Sequence, residues 1–347
     1  MHLYLDNGYL DMRSIINHTA TFIFLYGARG TGKTYGALEY VIKDKIKHLY
    51  MRRTQTQLDI INKQDFSPYK EPCNDNNIIV HMQKITKYNS AIYANHKVDG
   101  VDTPNLSDVL GYTAAMSTIS NMRGFSASDI DLWIYDEFMG EAHERPIKNE
   151  GEAFLNAYET INRNRELQGR DPLKVICMAN SNNIANPLFL ELGLVNMAYQ
   201  MDETNQVYQY YPDRGLLLIN ISKSPISKAK STTALYKMVG DNSAFRRMSI
   251  LNKFDIAVKS PLLHPNLKQL TPLAILGEIA IYNHKNQSKY ILHICTHKQP
   301  GIKEYKVNDT YKSFYKKQLF WVWDMYMRGK VTFEAPICEV LLQKYFL

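Results

Sequence analysis

Cysteine is scarce: the 347 residues hold four, Cys73, Cys177, Cys295 and Cys338, and no two form a C-x-x-C pair. That spacing argues against a zinc site and predicts reduced, mostly buried thiols. Long apolar runs are absent as well, none approaching the roughly 18 residues that a membrane span requires. The opening MHLYLDNGYLDM has acids where a secretory leader needs a basic region. The expectation is a cytosolic chain with no membrane attachment. No internal repeat or low-complexity tract is visible, and 45% hydrophobic with 22% charged residues is the composition of an ordinary globular chain. Its length suits two domains, each with its own core.

Acid is what the last third lacks. Residues 246–347 hold sixteen Lys and Arg against seven Asp and Glu, or +9, whereas the first 245 residues hold 25 against 27, or −2. Such asymmetry favours a polyanion partner for the basic part, most simply nucleic acid, although a solvated basic surface has the same composition.

Against this background one stretch carries chemistry. Residues 24–42, FLYGARGTGKTYGALEYVI, run a short apolar strand into a loop with three glycines and then into a helix. The loop, Gly27, Ala28, Arg29, Gly30, Thr31, Gly32, Lys33 and Thr34, reads G-x-x-x-x-G-K-T, the P-loop pattern. Its glycines allow backbone conformations and close approach that side chains would block, so that N–H groups at a helix N-terminus can wrap phosphates. Lys33 would reach the β- and γ-phosphates, and the Thr34 hydroxyl would hold Mg²⁺, which implies ATP and Mg²⁺ as ligands.

A second stretch, DLWIYDEF at residues 131–138, places an apolar strand before Asp136 and Glu137. A carboxylate ending a strand at the P-loop edge can hold the Mg²⁺ shell, which is the task assigned to Asp136. Glu137 can polarise a water for in-line attack, pointing to hydrolysis rather than transfer to a small acceptor.

Around these motifs, residues 1–220 alternate strand and helix, which implies a mostly parallel sheet with helices on both faces: an α/β P-loop ATPase domain of the additional-strand (ASCE) type. Strands are expected at HLYMRR (48–53) and KVICMANSNN (174–183), with one or two antiparallel hairpins between 77 and 100. Residues 221–247, rich in Ser, Thr and Lys, read as a linker with one short helix. Residues 248–347 read as a smaller α+β domain, in which LAILGEIAIYNH and KYILHICTH pair across the turn KNQS, with Glu278 inside a core strand.

Five further positions are candidates. Arg163 and Arg165 follow a helix that buries Ala153, Phe154, Ala157, Tyr158 and Ile161; they either complement the helix dipole or act as an arginine finger on a neighbouring subunit's nucleotide. Asn180, at the end of KVICMAN, either senses the γ-phosphate or makes a turn. Arg29 and Arg123 belong to the same exposed class, facing phosphates in cis or in trans.

Taken together and in order, GARGTGKT, WIYDEF, INRNREL and ICMANSNNIANPLF resemble the DNA-packaging ATPases of phi-29-type tailed phages, compact relatives of large terminases. The resemblance covers residues 20–190 and, after 220, rests on order and size alone. It implies a homopentameric ring at the portal vertex of an empty capsid in the host cytoplasm, with double-stranded DNA, the portal protein and a packaging RNA as partners. It places the phosphate loop on Gly27 to Thr34, the Mg²⁺ carboxylate on Asp136 and the catalytic acid on Glu137. Arg163 matches the trans-acting finger, with Asn162 where the family has Phe and Arg165 as a rival; Arg123 matches a second basic residue acting across the interface. The C-terminal domain is similar to an RNase H-like nuclease without its metal-binding acids. The expected activity is ATP hydrolysis coupled to DNA translocation, with an active nuclease or a nucleotide-switched binding module as alternatives.

Overall fold

The structure, a computed structural model, describes residues 1–63, 66–98, 101–122, 129–141, 144, 147–181, 184–221, 224–230, 232–238, 260–285, 289–308 and 310–346. The chain divides into two compact units, Met1–Leu194 with Gln200–Asp255 and Val195–Tyr199 with Ile256–Leu347.

The larger unit is built on nine strands: β1 (Phe22–Gly27), β2 (His48–Arg52), β3 (Val80–Lys84), β4 (Ser90–Val98), β5 (Val101–Ala115), β6 (Leu132–Asp136), β7 (Lys174–Asn180), β8 (Tyr208–Tyr211) and β9 (Leu216–Ile221). They form one sheet in the order β3-β4-β5-β2-β6-β7-β1-β9-β8. The middle run from β5 to β9 is parallel, and antiparallel strands finish both edges. Strand β7 is inserted between the P-loop strand β1 and the acid-bearing strand β6, the arrangement expected of the additional-strand class. Central strands covered by helices on both faces read as continuous apolar runs. Ile23, Phe24, Leu25 and Tyr26 of β1 and Trp133, Ile134 and Tyr135 of β6 are accordingly buried. Because these strands are parallel, Gly27, Arg52, Asp136 and Asn180 all end at one edge.

Strand β2 is pinned at its other end. Gly111 of β5 lies so close to His48 that a β-carbon there would sit 2.3 Å from the His48 carbonyl oxygen. The buried His48 ring bridges the Ile46 carbonyl, 2.8 Å from Nδ1, and the Tyr69 hydroxyl, 2.6 Å from Nε2. Only a proton on Nδ1 satisfies the carbonyl, and burial disfavours a second proton, so the ring is neutral and Nε2 accepts from Tyr69.

The smaller unit has a five-stranded sheet of β10 (Leu270–Leu276), β11 (Ile279–His284), β12 (Leu292–Cys295), β13 (Glu304–Tyr305) and β14 (Val331–Phe333), in the order β13-β10-β11-β12-β14. Helices Lys312–Gln318, Phe320–Met327 and Pro336–Phe346 complete it, packing Tyr315, Val322 and Leu342 into one core with Leu276, Ile281, Ile294 and Phe333. One expectation is corrected: LAILGEIAIYNH is itself a hairpin, turning at Gly277 and Glu278, and Glu278 is exposed rather than inside a strand. Gly277 adopts φ +54°, a conformation glycine takes without steric cost and an apolar-run reading overlooks. Among its described residues the segment 221–247 carries two short helices, Pro225–Lys230 and Ala234–Met238, where one was expected; its residues 222, 223, 231 and 239–247 lie outside the described residues. All four cysteines are free and buried.

Burial lowers the His48 pKa from 6.5 to about 4, so the unfolded chain takes up this proton before the folded one does. The stabilisation by neutral His48 is therefore complete above pH 6.5 and disappears as the pH falls through 4. Urea unfolding should show about 3 kcal/mol lost over this window through His48, and His48→Gln should be less stable at neutral pH with a flatter acid limb.

Candidate active site

The P-loop geometry follows from three glycines with positive φ, Gly27 at 149°, Gly30 at 66° and Gly32 at 88°. Gly32 is the N-cap of the helix Lys33–Lys43, and a β-carbon on Gly27 would lie 2.6 Å from that of Ile221. The buried Lys33 ammonium curls back onto the loop, donating to the Ala28 carbonyl at 2.6 Å and to Asn180 Oδ1 at 3.4 Å. Burial pushes its pKa down to about 8, against the pull of Asp136. A cation so placed is electrostatically under-compensated and suited to an anion.

Asp136 is the hub of the opposite wall. Its Oδ2 accepts from the Thr34 hydroxyl at 2.9 Å, the Tyr50 hydroxyl at 2.9 Å and Arg52 Nη1 at 3.0 Å, while Oδ1 accepts from the Glu137 backbone N–H at 3.1 Å. Burial and the facing carboxylate push the Tyr50 phenol well up, so it remains a donor. Burial alone would lower Arg52, but Tyr50, Asp136 and Glu137 more than restore it, and it stays charged. Its second nitrogen, Nη2, reaches Glu137 Oε2 at 2.5 Å. Glu137 has φ +55°, a left-handed conformation that costs a non-glycine residue about 1–3 kcal/mol and recurs at functional sites. Its side chain remains 46% exposed. Partial desolvation raises its pKa despite Arg52, in the direction a general base near neutral pH requires.

Next to Arg52, Arg53 turns into the protein. It is buried, with Nε and Nη2 each 3.0 Å from Glu150 carboxylate oxygens and Nη1 2.8 Å from Glu144. Tyr135 donates to Glu150 at 3.0 Å, and Gln57 to Glu144 at 2.9 Å. The end of β2 thus grips both the acidic pair and the first turn of the helix Glu150–Asn162. HLYMRR foreshadowed these arginines, but their partners depend on β2 lying beside β6, a pairing that local pattern does not reveal.

Of the other expected site residues, Arg29 forms an ion pair with Glu141 at the cavity mouth, and Asn180 contacts Lys33 from the inserted strand. Thr31 is buried, its hydroxyl 3.3 Å from the Ala28 carbonyl. Arg163 and Arg165 are not brought to this P-loop. Arg165 is buried, its Nη2 donating to the carbonyl of Ile130 just before β6, about 20 Å of strand away from Asp136. Arg163 caps the end of its helix at φ +47° and is exposed, its Nε 3.3 Å from the Thr160 carbonyl. The two arginines separate because Arg163 and Asn164 both adopt left-handed backbone. Arg123 lies outside the described residues.

A cavity of about 410 Å³ opens between these walls, bounded by the P-loop, Tyr35, Asp136, Glu137, Glu141, Ala179 and Asn180. Backbone N–H groups at a glycine loop, a buried lysine and the hydroxyl–carboxylate pair of Thr34 and Asp136 fit a phosphate chain and a hard divalent cation in their chemistry. Sheet order and site together define an α/β P-loop protein of the additional-strand class.

Comparison with known proteins narrows the class. Residues 6–260 match the podovirus DNA encapsidation protein (Gp16) family, and the chain belongs to that family. It is 24% identical over 252 residues to a DNA packaging protein of Bacillus phage phi29, covering 71% of this chain and 66% of that one. It is 27% identical over 241 residues to a DNA packaging protein of Bacillus phage B103, covering 67% and 63%. The chain thus matches slightly less than two thirds of these relatives' own length. The solved bacteriophage phi-29 genome packaging motor assembly shares the fold over 99% of both chains, with TM-score 0.64 and 16% identity.

Replacing Arg53 with Met leaves Glu150 buried and without its cation, a change that costs about 3–5 kcal/mol. Denaturant unfolding of Arg53→Met should show that loss, whereas the exposed Arg13–Asp44 pair, removed by Arg13→Met, should cost far less.

Proposed function

We propose that this chain is an ATP-hydrolysing motor that translocates viral double-stranded DNA into a preformed capsid through the portal. The observation carrying the proposal is the convergence of Lys33, Thr34, Asp136 and Glu137 at one sheet edge, within a family of encapsidation proteins. The names of the phage relatives, DNA packaging proteins, support the same reading.

Bound Mg²⁺–ATP supplies a polarised γ-phosphate open to attack. The P-loop amides and Lys33 hold the phosphates, and Thr34 and Asp136 hold the cation. Glu137 removes a proton from the attacking water, with Arg52 fixing the position of its carboxylate. Arg163, exposed and not lining the P-loop cavity of its own chain, fits a finger on a neighbour's nucleotide; Arg165, turned inward to Ile130, does not. A finger in trans requires a ring or filament, in this reading a homopentameric ring at the portal vertex in the host cytoplasm, with packaging RNA as a further partner.

The +9 charge of residues 246–347 supports a grip on the DNA backbone that is salt-dependent and blind to sequence. The helices Lys312–Gln318 and Phe320–Met327 add exposed Phe314, Phe320 and Trp321 to that basic part. An active nuclease draws no support from Glu278, which stands exposed at a hairpin turn.

Substituting Glu137 with Gln should leave ATP binding intact and lower turnover by about 10²–10⁴-fold. Radiolabelled-ATP binding and phosphate release measured on the same sample check this, and hydrolysis at the wild-type rate would remove Glu137 from the chemistry.

A further inference from the structure

Two side chains outside the P-loop stand against its outer surface. Tyr9 lies beside Gly32, where a β-carbon would be 3.1 Å from Tyr9 Cδ1, and is 42% exposed. Its position is fixed on both sides. Tyr9 N donates to Asn7 Oδ1 at 3.1 Å, Leu5 N donates to the Tyr9 carbonyl at 2.8 Å, and the next residue, Leu10, donates to the Thr31 carbonyl at 3.1 Å. Lys230, the last residue of the helix Pro225–Lys230, donates to the Arg29 carbonyl. A β-carbon on Gly30 would lie 2.7 Å from Lys230 Nζ and 3.2 Å from its Cε. The two segments also touch each other, since a β-carbon on Gly8 would lie 3.2 Å from that of Pro225.

The inner face of the loop, with Lys33, Thr34 and Asp136, takes the phosphates. A nucleoside attached to them extends away from the loop, and Tyr9 and Lys230 stand beside the loop at Gly32 and Gly30. An exposed aromatic ring offers a stacking surface for a base, and a lysine stem covers apolar surface while its ammonium is anchored elsewhere. We propose that Tyr9 and the stem of Lys230 are the two walls that grip the base of a nucleoside triphosphate, making the helix Pro225–Lys230 part of the nucleotide site. The clamp rests on the nucleotide reading above and adds to it that the segment following β9 is restrained whenever the site is filled.

Calorimetric titration of the full chain with Mg²⁺–ATP and with Mg²⁺–tripolyphosphate, which has no base, tests the clamp. Tyr9→Leu should weaken ATP binding about tenfold and leave tripolyphosphate binding unchanged, Lys230→Ala should weaken ATP binding more than tripolyphosphate binding, and Tyr9→Phe should bind ATP as the wild type does. Unchanged ATP affinity in Tyr9→Leu and Lys230→Ala, or equal losses for both ligands, overturns the clamp. Lys33→Ala should weaken both ligands; if it weakens neither, the P-loop reading itself fails and the clamp fails with it.

Discussion

One carboxylate oxygen, Asp136 Oδ2, joins three elements far apart in sequence. It accepts from Thr34 on the P-loop helix, from Tyr50 inside β2 and from Arg52 at the end of β2, while its own backbone ends β6. A buried carboxylate is tolerable only when its lone pairs are satisfied and its charge is paired, and here three donors, one of them cationic, converge on one oxygen. The parallel register that ends β1, β2, β6 and β7 at one edge makes this convergence geometrically available. Losing it would separate the Thr34 hydroxyl from the Asp136 carboxylate.

The same strand end carries the influence outward. Arg52 links Asp136 to Glu137, and Arg53, on the opposite face of β2, binds Glu150 at the start of the helix whose far end bears Arg163. Alternation along a strand sends adjacent residues to opposite faces, so two consecutive arginines can serve the acidic pair and the helix without competing. The buried Arg53 pair gains little stability over a well-packed apolar substitute, but it fixes the start of that helix relative to the strand. The strained backbone of Glu137 is held within this frame by its amide on Asp136 and its carboxylate on Arg52.

The P-loop and the Asp136–Glu137 pair were legible in the sequence because their chemistry demands fixed local spacing and a strand immediately before each. The parallel sheet followed from alternation, and β7 was expected as a strand ending in polar residues, while its insertion between β6 and β1 comes from the sheet order. Arg52, Tyr50 and Arg53 were not assigned, since their roles require knowing that β2 lies between β5 and β6. Glu278 was misplaced because the two-residue break Gly277–Glu278, inside an otherwise apolar stretch, is short enough to be read as part of one strand. Arg163 and Arg165, two residues apart, were equivalent candidates until the left-handed backbone at 163 and 164 turned one outward and the other inward.

Steady-state ATP hydrolysis against protein concentration, with and without double-stranded DNA, tests the motor account most directly when wild type and Arg163→Ala are compared alone and Arg163→Ala is mixed with Glu137→Gln. The account predicts a steeper than linear, DNA-enhanced rate that Arg163→Ala loses and that returns in the mixture, where the Glu137→Gln subunit supplies Arg163 to a neighbour. A linear rate, indifferent to DNA and unchanged in Arg163→Ala, would contradict it.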